Sequence, residues 1–123
     1  VSLNIEGLEI THQIDIDEIS FDISQSIALG QIVSELISNC FKHAFVGRQS
    51  VNIKLALRRV EDEKIMLTLS DDGKGFPKNY DIQSGKTLGL RLVKGLAQQL
   101  HGSLSIDDAD GACIKIQFPE KKV

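Results

Sequence analysis

The amino-acid sequence predicts an α+β fold, a two-layer α/β sandwich that carries its helices on one face of a sheet. Two segments have apolar residues at helical spacing, and several shorter segments alternate apolar with polar residues. Their order is strands, helix, two strands, loop, helix, two strands. The chain has 123 residues, 41% hydrophobic and 25% charged, which is typical of one soluble globular domain. We therefore expect a single domain over residues 1–123.

The first half of the chain predicts two short strands and a long helix. Alternating residues in 1–16 indicate strands on either side of a turn at Gly7. A helix is predicted from about Ser24 to Phe45, with a start signal in Asp22 and Gln25. Its apolar stripe comprises Leu29, Ile32, Val33, Leu36, Ile37, Cys40, Phe41 and Ala44.

The second half predicts two hairpins separated by a loop and a second helix. Residues 51–57 and 65–69 alternate on either side of an acidic turn, and residues 103–106 and 112–118 do so around residues 108–111. Between the hairpins, residues 73–87 have no periodicity. A helix is predicted from about Leu88 to His101, ended by Gly102. Its expected inward residues are Leu92, Val93, Leu96, Ala97 and Leu100.

Charge and hydropathy exclude several classes of protein. The net charge of −3 argues against a nucleic-acid partner. No apolar run reaches the ~20 residues of a membrane-spanning helix, so we expect no direct membrane contact by this domain. The two cysteines, Cys40 and Cys113, fit no metal-ligand spacing and are expected to be reduced, as in a cytoplasmic protein.

A polar stripe on the first helix is the first candidate site. Glu35, Asn39 and Lys42 are spaced i, i+4, i+7 and share one face, and His43 flanks them. An amide oxygen suits Mg²⁺, and an ammonium group suits a phosphate. The spacing is equally compatible with the solvated face of an amphipathic helix.

Two glycine-containing segments are the other candidates. Asp71 follows a strand and precedes Gly73 and Gly75. An ionised aspartate accepts hydrogen bonds from an amino group, and glycines allow a planar ring to approach the backbone. Residues 85–93 place glycines at a helix start, where unpaired N–H groups favour phosphate. Taken alone, each segment could be a plain glycine-rich turn or helix cap.

The three segments together resemble the motifs of the GHKL ATPase superfamily, which joins gyrase B, Hsp90, MutL and histidine kinases. The first helix resembles its N box, Asp71 to Gly75 its G1 box, and Gly85 to Leu90 its G2 box. Residues 35–45, 88–93 and 99–104 look like the HisKA_2-like subgroup of sensor histidine kinases. The resemblance implies the Bergerat-type ATP-binding fold, with a mixed sheet.

The resemblance also implies a role for each site residue. Glu35 would be a catalytic base, Asn39 a Mg²⁺ ligand, and Asp71 the partner of the adenine amino group. The residues that would contact ATP are Asn39, Lys42, His43, Asp71, Gly73, Gly75, Thr87, Leu88, Gly89 and Leu90. Residues 78–86 would form a lid. The sequence departs from the superfamily pattern at Ala112, where a threonine often contacts the base, so adenine recognition would depend more on Asp71.

The implied function is transfer of the γ-phosphoryl group of ATP to a histidine in two-component signalling. None of the three histidines lies near the start of a long amphipathic helix pair. We therefore expect an upstream, dimeric phosphoacceptor helical domain in a longer parent, and a response regulator as the next partner. Two alternatives remain open: an anti-sigma-factor-type serine kinase, and a non-kinase ATP-binding signalling module.

Overall fold

Six strands and two helices make up the part of the chain that the computed structural model describes, namely residues 2–5, 8–39, 50–61, 63–72, 88–107 and 113–120. In chain order, these elements are β1 (Ser2–Ile5), β2 (Leu8–Ile16), α1 (Ile23–Asn39), β3 (Ser50–Val60), β4 (Lys64–Asp71), α2 (Leu88–Gln99), β5 (Ser103–Asp107) and β6 (Cys113–Pro119). This order of elements agrees with the prediction. Residues 40–45, predicted as the end of the first helix, lie outside the described residues.

The strands form one mixed sheet in the order β1-β2-β3-β4-β6-β5. β2 and β3 are parallel, with Ile10 opposite Val51. The other neighbouring strands are antiparallel. A parallel pair needs a crossover connection, and α1 lies in the stretch of chain between β2 and β3. The mixed sheet expected from the resemblance is therefore confirmed.

One core joins the two helices to one face of the sheet. Alternate residues of the central strands are buried because successive side chains of a strand point to opposite faces. They pack in a single cluster with the inner faces of both helices. Its members include Val51, Ile53, Leu57, Ile65, Leu67, Leu69, Ile114, Ile116 and Phe118 from the strands, and Ala28, Leu29, Ile32, Leu36, Val93, Leu96, Ala97 and Leu100 from the helices. This arrangement confirms the predicted two-layer sandwich.

A reciprocal cap begins α1. The backbone N–H of Gln25 donates to Asp22 Oδ1 at 2.7 Å, and the N–H of Asp22 donates to Gln25 Oε1 at 3.3 Å. This capping box satisfies N–H groups that the first turn of a helix leaves unpaired. Gln25 is buried in the process. The start signal predicted from Asp22 and Gln25 is confirmed.

The end of α2 shows why glycine stands at position 102. His101 adopts a left-handed conformation with φ 58°, and its N–H donates to Gln98 O. The N–H of Gly102 then donates to Ala97 O at 2.8 Å, which completes a Schellman motif. A Cβ atom on Gly102 would lie 2.7 Å from Gln117 O. Glycine is therefore required at position 102 because the chain passes close to β6 there, whereas the left-handed turn is made by His101.

The prediction that Leu92 faces inward is wrong, because its side chain is 41% exposed. Val93 and Leu96 are buried, and successive residues of a helix are turned by about 100°. Leu92 therefore lies beside the buried stripe of α2 rather than within it.

Candidate nucleotide site

A small pocket marks one end of the sandwich. Its volume is about 160 Å³. The first turns of α1 and the end of α2 line it together with Pro119, the last residue of β6. The start of α1, the end of α2 and the end of β6 therefore meet at this end.

The described parts of the three predicted motifs lie at the opposite end of the sandwich, which we call the motif end. It comprises the last two turns of α1, the first turn of α2 and the end of β4. In the antiparallel pair of β4 and β6, Lys64 lies opposite Pro119, and Ser70 lies opposite Cys113. The end of β4 at Asp71 therefore lies away from the pocket. The start of α1 meets the end of α2 at the pocket and the two helices pack against each other, so the end of α1 and the start of α2 lie away from it as well.

Asp71 is a buried carboxylate at the motif end. It is the last residue of β4 and only 7% exposed. Burial alternates along this strand, so Asp71 projects from the same face as Ile65, Leu67 and Leu69, towards the helices. A carboxylate can only accept hydrogen bonds when it is ionised, and its two oxygens can accept from several donors at once. The arrangement suits an acceptor for a ligand amino group.

Asp72 has a different role from its neighbour. The backbone N–H of Asn52 donates to Asp72 Oδ1 at 2.8 Å, and the N–H of Asp72 donates to Asn52 O at 3.3 Å. Thr11 Oγ1 extends this network to Asn52 Oδ1 at 3.0 Å. Asp72 therefore ties β4 to β3 at the motif end. The sequence alone could have placed the two aspartates on opposite faces of the sheet, because the apolar–polar alternation that begins at Ile65 continues through them.

The last two turns of α1 carry the polar stripe. Glu35 is partly buried, while Leu36 beside it is 2% exposed in the core. Asn39 ends the described helix one turn after Glu35. Leu88, Gly89 and Leu90 form the first turn of α2, where backbone N–H groups lack helical acceptors. The remaining predicted site residues, Lys42, His43, Gly73, Gly75 and Thr87, lie outside the described residues.

Other features of this region bear on metals, thiols and membranes. In the described ranges, no three histidine, cysteine, aspartate or glutamate side chains are grouped so as to hold a metal ion. Cys113 at the start of β6 is a free thiol, and Cys40 lies outside those ranges. Neither α1 nor α2, the helices of the described chain, is long and apolar enough to cross a bilayer.

Known proteins resemble this chain in sequence and in structure. Residues 24–122 match the family described as histidine kinase-, DNA gyrase B- and HSP90-like ATPases. Blue-light-activated histidine kinase 2 of Erythrobacter litoralis is 30% identical over 104 residues, which are 84% of this chain and 30% of that protein. The histidine-protein kinase/phosphatase UhpB of Salmonella typhimurium is 28% identical over 98% of this chain and 23% of its own length.

The structural match agrees with the sequence matches. The histidine kinase domain of the Erythrobacter litoralis EL346 blue-light-activated kinase superposes with a TM-score of 0.83 and 28% identity. The alignment covers 90% of this chain and 52% of that structure. The chain therefore spans less than a third of the curated relatives named above, and about half of that kinase domain.

Proposed function

Since this chain belongs to the family of histidine kinase-, DNA gyrase B- and HSP90-like ATPases, we propose that it binds ATP with Mg²⁺ and phosphorylates a histidine on a separate helical domain. Membership of an ATPase family implies ATP binding. The kinase activity is inferred from the sensor histidine kinases that it resembles. On this proposal, the chain is the catalytic domain of a longer cytoplasmic or membrane-anchored kinase.

The buried carboxylate of Asp71 is the observation that carries this proposal. It lies at the same end of the sandwich as the start of α2, where phosphate groups would be bound by backbone N–H groups. An ionised carboxylate can only accept hydrogen bonds, so it would pair with the amino group of adenine. Guanine has a carbonyl oxygen at the corresponding position and would be repelled.

The phosphate and metal contacts would come from the two helices. Asn39 would supply an amide oxygen to Mg²⁺, a cation that usually keeps several waters and takes few protein ligands. Lys42 and His43 would contact phosphate oxygens, and Thr87 to Leu90 would offer backbone N–H groups. Gly73 and Gly75 would line the base pocket. Bound Mg²⁺ would neutralise charge that develops on the phosphates.

Phosphoryl transfer needs an aligned nucleophile more than it needs covalent help from the protein. The lone pair of an acceptor imidazole nitrogen would attack the γ-phosphorus. The nitrogen–phosphorus bond forms, the bond from γ-phosphorus to the bridging oxygen breaks, and ADP leaves. Glu35, one turn before Asn39, would take the proton lost from the other imidazole nitrogen. A response regulator would then accept the phosphoryl group.

The test uses the longer protein and separates the candidate functions by product. Incubation with Mg-ATP should give acid-labile, base-stable phosphate on the upstream helical domain. Acid-stable phosphoserine on a partner would instead indicate an anti-sigma-factor-type kinase. ATP binding without transfer would indicate a non-kinase module. The 123-residue chain alone should bind ATP but should not label any of its three histidines; strong self-labelling would contradict the proposal.

A further inference from the structure

One edge of the sheet is only half covered in the described chain. Among the described residues, β1 pairs with β2 from Leu8 to Thr11. On its other side, β2 pairs with β3 as far as Ile16. The stretch of β2 from His12 to Ile16 therefore has one neighbouring strand among the described residues. Such an edge presents backbone N–H and C=O groups that can pair with another strand.

Two exposed isoleucines lie on this open stretch. Ile14 is 60% exposed and Ile16 is 55% exposed, whereas Ile10 on the same strand is 4% exposed. All three project from the helix-facing side, because side chains two residues apart share a face. Their partners on β3 confirm this placement, since Ile16 lies opposite the buried Leu57. The apolar face of the sheet thus continues past the area that the helices cover.

The direction of β1 indicates what lies next to this stretch. Ser2 lies opposite Thr11, and Ile5 lies opposite Leu8. Traced backwards from Ser2, the strand therefore heads along β2 towards Ile14 and Ile16. The relatives of this chain contain much additional sequence, since it spans 30% and 23% of two of them.

We propose that the residues preceding Ser2 in the longer protein extend β1 and bind along β2 from His12 to Ile16. In continued antiparallel register, they supply the missing backbone partners, and their side chains flank Ile14 and Ile16 on the same face of the sheet. This inference rests on the proposed function in one respect, that the chain is one domain of a longer kinase. The occupant is the tether that joins this domain to the acceptor domain.

Docking of the tether would change the reach of the catalytic domain. A strand residue spans about 3.3 Å, so releasing a stretch that matches His12 to Ile16 would lengthen the free tether by about 17 Å. The local concentration of one linked domain near another falls as the linker lengthens beyond the span required. The open edge of β2 therefore acts as a clamp that sets how closely the catalytic domain is held to its acceptor.

The test measures cysteine labelling in the longer protein. Ile14→Cys reports on the clamp, and Ile27→Cys on the outer face of α1 is the matched control, because Ile27 is 58% exposed. Each variant is made with the native upstream residues and with those residues replaced by glycine and serine. Maleimide labelling is followed site by site by peptide mass spectrometry, which separates the new thiols from Cys40 and Cys113.

With native upstream residues, Ile14→Cys should label about tenfold or more slowly than with the glycine–serine replacement, because local opening then limits access. Ile27→Cys should label equally in both. Hydrogen exchange should also slow at alternate amides between His12 and Ile16. Equal rates for Ile14→Cys would overturn the proposal. So would protection that depends on protein concentration, which would indicate pairing with a second copy, or protection of the thiol without slower amide exchange. ATP binding to the same samples reports on the proposed function separately.

Discussion

Replacing Asp71 by asparagine removes the charge while keeping the size of the side chain. Asp71 is 7% exposed, so little water can take the place of a lost ligand contact. A hydrogen bond to a charged group is worth about 1.5–3 kcal/mol. Each 1.4 kcal/mol corresponds to a tenfold change in affinity, so Asp71→Asn should weaken ATP binding about 10- to 150-fold.

Isothermal titration calorimetry of the 123-residue chain with Mg-ATP measures this loss. Asp72→Asn is the matched control, because Asp72 is exposed and its Oδ1 acceptor for the N–H of Asn52 survives as an amide oxygen. The control should bind ATP as the unchanged chain does. Thermal melts without nucleotide show whether either variant is less stable. Equal ATP affinity for Asp71→Asn and the unchanged chain would refute the assignment of Asp71 to adenine.

The remaining four predictions concern catalysis and stability. In the longer protein, Glu35→Gln should leave ATP affinity nearly unchanged and slow autophosphorylation about tenfold or more; a loss explained wholly by weaker Mg-ATP binding would contradict a base role. Gly102→Ala should lower the free energy of unfolding by about 1–3 kcal/mol in denaturant melts, since its Cβ would lie 2.7 Å from Gln117 O. Gly95→Ala, whose Cβ meets nothing within 4 Å, should raise it by about 0.4–1 kcal/mol, and the reverse order would contradict the packing described. Asp22→Ala should lower the free energy of unfolding by about 0.5–2 kcal/mol in urea melts through loss of the cap of α1; an unchanged value would mean that the cap is not stabilising.

Individual strands and helices could be predicted from the sequence where one face of the element is buried along its whole length. Alternation in β4 and β6 follows the burial of Ile65, Leu67 and Leu69 and of their partners. The Asp22–Gln25 pair predicted the start of α1 because a capping box is local in sequence. Both signals depend only on neighbouring residues.

Features that depend on distant elements could not be predicted in the same way. Ile14 and Ile16 have the alternation of a buried strand, yet they are exposed because the described helices do not cover that side of β2. Leu92 has the helical spacing of a core residue, yet it is exposed because the buried stripe of α2 is too narrow to include it. In the candidate site, the sequence identified Asp71 through its glycine neighbours, and the structure adds its burial. The roles assigned to Glu35 and Asn39 stay predictions.

The parallel pairing of β2 with β3 has a consequence for how the chain folds during synthesis. Thr11 and its neighbour Asn52 are 41 residues apart, whereas Val60 lies opposite Lys64 in the hairpin of β3 and β4. Closing the longer loop costs about 2 kcal/mol more in chain entropy, so the hairpin should form first. A ribosome adds about 5–20 residues per second, so β2 would emerge roughly 2–8 s before β3. During that interval the isoleucines of β2 lack the β3 residues that lie opposite them in the folded domain.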